Sequence, residues 1–146
     1  NREAYEELQR ISRGLKSSGF KVVREKIETV PWHPAAPKDR EDKMPSDCYF
    51  ETHFGVLVNE KKLENLKIIA KKTGSHLSKN IFKKVSQDTF KIMMTCRVYK
   101  GTLKEFEDKV EEIKKELKEF DVDKVITEFS LYDTKINHDS SWILKN

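Results

Sequence analysis

The order in which apolar residues change their spacing along the chain is the feature that most constrains its fold. From residue 48 onward, segments that alternate apolar and polar residues are interrupted by two segments in which apolar residues recur every three or four positions. Alternation is typical of a half-buried strand, and the longer spacing is typical of an amphipathic helix. The predicted strands are Cys48–Val58, His76–Val85, Thr89–Tyr99 and Val125–Tyr132, and the predicted helices are Lys61–Thr73 and a segment from Thr102 to Phe120.

Both predicted helices carry boundary signals. Asn59 can cap the first helix and Gly74 can end it, and Thr102 with Glu105 forms a capping box for the second. Right-handed connections in a strand–helix–strand–strand–helix–strand order favour a four-stranded antiparallel sheet with both helices on one face. The sequence therefore predicts an α+β domain of the ferredoxin-like βαββαβ type.

A chain of 146 residues fits one domain, and four regions can be distinguished in it. Residues 1–30 form an N-terminal extension with a helix, Glu3–Ser18, and a strand, Phe20–Val30. Residues 31–47 form a proline-rich loop, in which Trp32 is expected to plug one end of the core. The βαββαβ core covers residues 48–133, and residues 134–146 form a tail with an apolar anchor at Trp142–Leu144.

The charge of the chain is only mildly basic. Lys and Arg number 29 against 25 Asp and Glu, for a net charge of +4. This balance permits an anionic ligand but does not by itself indicate a nucleic-acid-binding protein. Cys48 and Cys96 lie in predicted strands without a C-x-x-C pair, so reduced thiols and a cytoplasmic location are expected.

The face of the sheet that the core helices leave open is the candidate site. Alternation places Glu51 and His53 on this face, and the first and third core strands should be neighbours, which brings Thr95 and Arg97 close to them. Glu128 is expected beside them from the last strand, and Glu25 could join them from the N-terminal strand. The same face is predicted to hold His76, Asn80 and Tyr99.

These side chains predict a small-ligand-binding domain. Arg97 would hold a phosphate or carboxylate group of the ligand, with Thr95, Glu128, His76, Asn80 and Tyr99 as further binding residues. His53 would act as a catalytic acid or base, with Glu51 orienting it, in a hydrolase or lyase reaction. No spacing among the histidines resembles a metal site, and no glycine-rich cofactor motif is present, so no metal and no cofactor are predicted.

Three alternatives to a ligand site remain open. An uncovered antiparallel face is polar by default, so the charges could form only cross-strand pairs. The domain could instead be a non-enzymatic interaction or oligomerisation module, with the first helix or a second subunit covering the face, or with a homodimer through the sheet or its edge. RNA binding is the third, although Glu51 and Glu128 would repel a phosphate backbone beside the stacking candidates Tyr49 and Tyr99.

Overall fold

The computed structural model describes the backbone of residues 2–84, 88–134 and 142–144, and the side chains of residues 2–79 and 88–134. Three helices are present there: α1 (Arg2–Ser17), α2 (Glu60–Thr73) and α3 (Leu103–Glu116). The strands are β1 (Lys26–Thr29), β2 (Tyr49–Val58), β3 (His76–Lys84), β4 (Phe90–Val98), β5 (Asp121–Asp133) and β6 (Trp142–Leu144). Residues 85–87, where the predicted strand His76–Val85 ends and its connection to Thr89–Tyr99 begins, lie outside the described residues.

The strands form an open antiparallel sheet. Five of them lie in the order β1-β5-β2-β4-β3, and the short β6 pairs with the outer side of β3. Strand β2 is central, with β5 on one side and β4 on the other. The predicted α+β class is confirmed, and so is the expectation that the first and third core strands, β2 and β4, are neighbours.

The hydrophobic core lies between α2, α3 and one face of the sheet. Phe50 stacks on Phe106 of α3 with ring centroids 4.8 Å apart and also contacts Phe129 of β5. The core members from the helices are Leu66, Ala70, Phe106, Val110, Ile113 and Leu117. The opposite surface of the sheet, called the open face below, carries the candidate site.

The predicted helix caps are confirmed at the level of single hydrogen bonds. The side chain of Asn59 accepts a bond from the backbone of Lys62, and Gly74 ends α2 with a φ of 69°. At the start of α3 both bonds of the Thr102–Glu105 capping box are present. These caps satisfy backbone groups that a helix end leaves without partners, which explains why the helix starts could be predicted so closely.

Two predicted segments differ from the structure. The N-terminal strand was expected over residues 20–30 but covers only Lys26–Thr29, because Phe20 and Val23 are largely exposed and none of the described strands pairs with them. Trp32 does not plug the core, since 66% of it is exposed. The buried members of the proline-rich loop are instead Pro31, Ala36 and Pro37.

The last strand is longer than predicted. It begins at Asp121 rather than Val125, and the pairing of β5 with β2 shifts register between Gly55 and Val56. This irregularity interrupts the alternation of apolar residues, which is why the early part of the strand was not predicted. Within the described residues, no helix has the length and apolar character needed to cross a bilayer.

Candidate functional site

The register of the central strands brings the predicted site residues together. On the open face Glu51 lies opposite Arg97 of β4 and Glu128 of β5, and His53 lies opposite Thr95. On the far side of β4, His76 of β3 lies opposite Thr95. The side chain of Asn80 lies outside the described residues, and Tyr99 follows the end of β4, 44% exposed, at one end of the face.

Glu51 is the centre of this arrangement. Its side chain has no solvent exposure, and its carboxylate contacts Lys26 Nζ at 2.6 Å, His53 Nε2 at 2.8 Å and Arg97 Nε at 2.5 Å. Burial alone would raise the pKa of Glu51, but the hydrogen bonds and charges of His53 and Lys26 hold it well below its usual range. Glu51 is therefore an ionised carboxylate throughout the neutral range. These four residues, Glu51, Lys26, His53 and Arg97, are called the ion network below.

The side chain of Arg97 is largely buried and forms an ion pair with Glu51. Only 5% of its side chain is exposed, and its guanidinium lies over the ring of Tyr49 at 5.2 Å. Burial would lower the pKa of Arg97, but the hydrogen bond and charge of Glu51 raise it. An anion that reached Arg97 would have to compete with the Glu51 carboxylate.

Lys26 belongs to the ion network, and the sequence prediction missed it. The expected N-terminal strand pointed to Glu25 as the residue that could join the face, whereas the register brings Lys26 and Glu28 there. Glu25 instead accepts a hydrogen bond from Gln9 of α1. A shift of one residue exchanges the two sides of a strand, and the sequence contains no signal for the register of a four-residue edge strand.

His53 connects the buried carboxylate to a hydroxyl group. Its Nε2 faces Glu51, and its Nδ1 lies 2.8 Å from Thr95 Oγ1. A carboxylate can only accept, so Nε2 carries a proton, and in the neutral imidazole Nδ1 accepts the hydroxyl proton of Thr95. The side chain of His53 is 23% exposed whereas Thr95 is 3% exposed. The imidazole is therefore the member of this hydrogen-bonded series that solvent reaches.

Glu128 forms a carboxyl pair with Glu28. Burial raises the pKa of Glu128 to about 7, and the hydrogen bond and charge of Glu28 add to this effect. For Glu28, burial would raise the pKa, but the hydrogen bonds from Glu128 and Lys26 lower it. Glu128 therefore holds the shared proton, and its Oε2 lies 3.8 Å from His53 Nε2.

Four side chains of this region are of types that can bind a metal ion. One ligand atom from each of Glu28, Glu51, His53 and Glu128 lies within 4.8 Å of the others. Carboxylate and imidazole groups suit several divalent ions, but Lys26 Nζ already contacts both Glu28 and Glu51. A cation here would have to displace this ammonium group, so the donor set fits a proton-exchanging cluster better than a metal centre.

One end of the open face is closed by hydrogen bonds. The Tyr49 hydroxyl donates to Asp133 at 2.5 Å, and Arg24 holds the same carboxylate through two nitrogens at 2.9 and 2.7 Å. Burial, with the bond to Asp133, raises the pKa of Tyr49 to about 12. Tyr49, which the sequence offered as a candidate for stacking on a base, is wholly buried beneath this closure.

Helix α1, which could have covered the open face, and the proline-rich loop both leave the side chain of His53 partly exposed. Helix α1 lies at the β1–β5 side, where Tyr5 packs edge-on against Tyr132 with ring centroids 5.3 Å apart. The proline-rich loop lines a cavity of about 440 Å³ together with Tyr49 and Tyr99, at the end of the face. Neither contact reaches His53, which remains partly exposed between them.

Comparisons with protein-family models, curated proteins and solved structures find no match to the chain.

Proposed function

We propose that this chain is a small-ligand-binding domain with an acid–base site on the open face, of the hydrolase or lyase type. The observation that carries the proposal is the hydrogen-bonded series Glu51–His53–Thr95 in the two central strands. Glu128 lies beside His53, which is the partly exposed residue of the series. Buried charges in central strands are costly to fold, so their presence there favours a functional role.

The two carboxyl groups on either side of His53 support distinct roles. Glu51 stays ionised and orients the imidazole, while Glu128 holds a proton up to a pH of about 7. Neighbouring groups whose pKa values are displaced in opposite directions are typical of an acid and a base that work together. In this proposal Glu128 donates a proton to the ligand, and neutral His53 accepts one at Nδ1, which exchanges its hydrogen bond from the Thr95 hydroxyl for one from the ligand.

The proposed ligand carries a phosphate or carboxylate group. Lys26 and Arg97 are already paired with Glu51, so an anionic group of the ligand would share these two cations with the Glu51 carboxylate. His76 and Ser78 lie further along the same face, beyond Thr95 and Met93. We expect them to contact the remainder of the ligand.

We also propose that the core belongs to the ferredoxin-like class and that the protein acts in the cytoplasm. The order β5-β2-β4-β3 of the four core strands supports the first point. The two buried free thiols, Cys48 and Cys96, support the second, because reduced cysteines are typical of the cytoplasm.

The test is an NMR titration of the labelled protein with inorganic phosphate, acetate and phenyl phosphate. We expect shifts confined to residues around His53 and Thr95, and their loss in His53→Gln. His33→Gln is the matched control, because His33 lies in the proline-rich loop away from the open face, and it should leave the shifts unchanged.

Hydrolysis of p-nitrophenyl phosphate and p-nitrophenyl acetate is then followed with the same two variants. Turnover that falls in His53→Gln but not in His33→Gln supports the acid–base role. The proposal is wrong if none of these compounds perturbs the open face, or if both histidine variants respond as the natural chain does.

A non-enzymatic interaction module is the second candidate, and a separate observation favours it. Apolar side chains of α1 and of the segment after it are exposed, among them Ile11, Leu15, Phe20 and Val23. They lie outside the ligand site, so an interaction through them is compatible with either function.

A further inference from the structure

Helix α1 contacts the sheet through only part of its surface. Ser12 is buried and hydrogen-bonded to Glu25, to which Gln9 also donates at 3.3 Å, and Tyr5 packs against Tyr132. These contacts are mostly polar. They attach α1 to the domain without burying the apolar residues that the helix carries on the adjoining side.

That adjoining side has the pattern of a helix-pairing surface. Ala4, Leu8, Ile11 and Leu15 follow one another at steps of four, three and four residues, which is the heptad spacing of a coiled coil. Ile11 is 46% exposed and Leu15 is 42% exposed, while Leu8 is partly buried. These four residues are called the α1 seam below.

The exposed apolar surface continues beyond the end of the helix. The backbone N–H of Phe20 donates to the carbonyl of Leu15 at 3.0 Å, which keeps Phe20 close to the seam. Phe20 is 64% exposed, and Val23 is 59% exposed. An apolar surface of this extent on a soluble domain indicates an interface.

The charges of α1 are separated along its length, and this separation identifies the partner. The first half carries Glu3, Glu6 and Glu7 with Arg2 alone opposing them, and the second half carries Arg10, Arg13 and Lys16. A second copy lying antiparallel would bring each acidic half beside a basic half, and the two helix dipoles would also oppose each other favourably. A parallel copy would bring like charges together.

We propose that the α1 seam is a homodimer interface in which two copies of α1 pair antiparallel about a two-fold axis. Such an axis makes the same patch contact itself, as the self-complementary charge pattern requires. A helix of 16 residues is about 24 Å long, so the contact is smaller than a standard interface of ~800 Å² per partner. The dimer is therefore weak and depends on concentration.

The first test measures the mass of the whole chain by sedimentation equilibrium over a wide range of concentrations. We expect a monomer–dimer equilibrium, weakened at least about tenfold by Ile11→Lys, which places a charge in the seam. Ile68→Lys is the matched control, because Ile68 is 66% exposed on α2, away from α1, and it should leave the equilibrium unchanged.

The second test determines the direction of pairing by disulfide formation. Positions 4 and 15 are about 16 Å apart along the helix, which is beyond the Cα separation of up to ~7 Å that a disulfide spans. An antiparallel pair therefore cross-links a mixture of Ala4→Cys and Leu15→Cys chains but neither variant with itself. The native cysteines, Cys48 and Cys96, are buried and do not interfere.

Three results would overturn the proposal: a monomer at every concentration, a dimer that Ile11→Lys does not weaken, or self-cross-linking of Ala4→Cys. None of these measurements depends on the ligand site. Failure of the dimer and failure of the proposed acid–base function can therefore be distinguished.

Discussion

At the scale of single residues, Glu51 is a buried charge in the central strand of the sheet, and its stability depends on its three partners. Its carboxylate is buried beside two cations and an imidazole, each within 2.8 Å. Taking these groups out of water is costly, and their mutual attraction offsets that cost only while every partner is present. The ion network is therefore sensitive to the loss of any one member.

We expect Glu51→Gln to reduce the free energy of unfolding by about 3–5 kcal/mol, because the largely buried side chain of Arg97 would lose its counter-charge and Lys26 would keep only Glu28. Urea denaturation measures this change, with Glu119→Gln on the exposed surface as the control. The apolar triple variant Lys26→Met, Glu51→Leu, Arg97→Met should recover most of the loss. A loss in Glu51→Gln no larger than that in the control would contradict this account.

Glu128 makes stability depend on pH in the opposite sense to a paired carboxylate. Its pKa is raised from 4.5 to about 7 in the folded chain, so between these values the folded state binds more protons than the unfolded state. The free energy of unfolding then falls as the pH rises through this window. We expect the contribution of Glu128 to the free energy of unfolding to fall by about 2 kcal/mol across this window. This is less than the full pKa shift would give, because the side chain is partly exposed and solvent weakens its interactions.

Thermal denaturation between pH 4.5 and 7.5 measures this effect as the difference between the natural chain and Glu128→Gln. Glu41→Gln, an exposed glutamate of the proline-rich loop, is the control. If the pH dependence of the natural chain and of Glu128→Gln were parallel, the shared proton between Glu28 and Glu128 would not exist.

At the scale of elements, the absent side chain of Gly55 allows an ion pair to cross β2. Lys91 and Asp123 meet at 3.0 Å on either side of this glycine. A Cβ at position 55 would lie 2.5 Å from Asp123 Oδ1 and 2.7 Å from Lys91 Cε, closer than real contacts allow. Both atoms belong to flexible side chains, so the pair rather than the strand would give way.

We therefore expect Gly55→Ala to cost only about 1 kcal/mol, the value of one partly exposed ion pair. In an Asp123→Ala background the same change should cost less, and a double-mutant cycle by urea denaturation measures the difference. Gly14→Ala is the contrasting control: it lies inside α1 with no atom within 4 Å of its new Cβ and should stabilise the chain. Equal costs in both backgrounds would mean that the pair does not cross at Gly55.

The elements also show what could be predicted from the sequence and what could not. The start of α3 was predicted to the residue, because the Thr102–Glu105 capping box is a local signal. The limits of β1 and β5 were not, because a strand extends only where another strand pairs with it, and that partner is distant in the sequence. Local hydrogen bonds leave a local signature, whereas cross-strand register does not.

At the scale of the whole molecule, the members of the site were largely predicted, but their partners were not. Alternation placed Glu51, His53, Thr95 and Arg97 on one face, and the structure brings them within hydrogen-bonding distance. Alternation could not show that Arg97 would form an ion pair with Glu51, because that pair depends on the rotamers and the burial of both side chains. Lys26 came from an edge strand whose register no pattern indicated.

The pairing of β1 with β5 has a consequence for the synthesis of the chain. Arg24 and its partner Asp133 are 109 residues apart, and the ribosome adds about 5–20 residues each second. The N-terminal helix and strand are therefore synthesised roughly 5–20 seconds before β5, the strand with which β1 pairs. During that interval the apolar side of α1 is exposed on a nascent chain, where chaperones and neighbouring ribosomes are the first surfaces it meets.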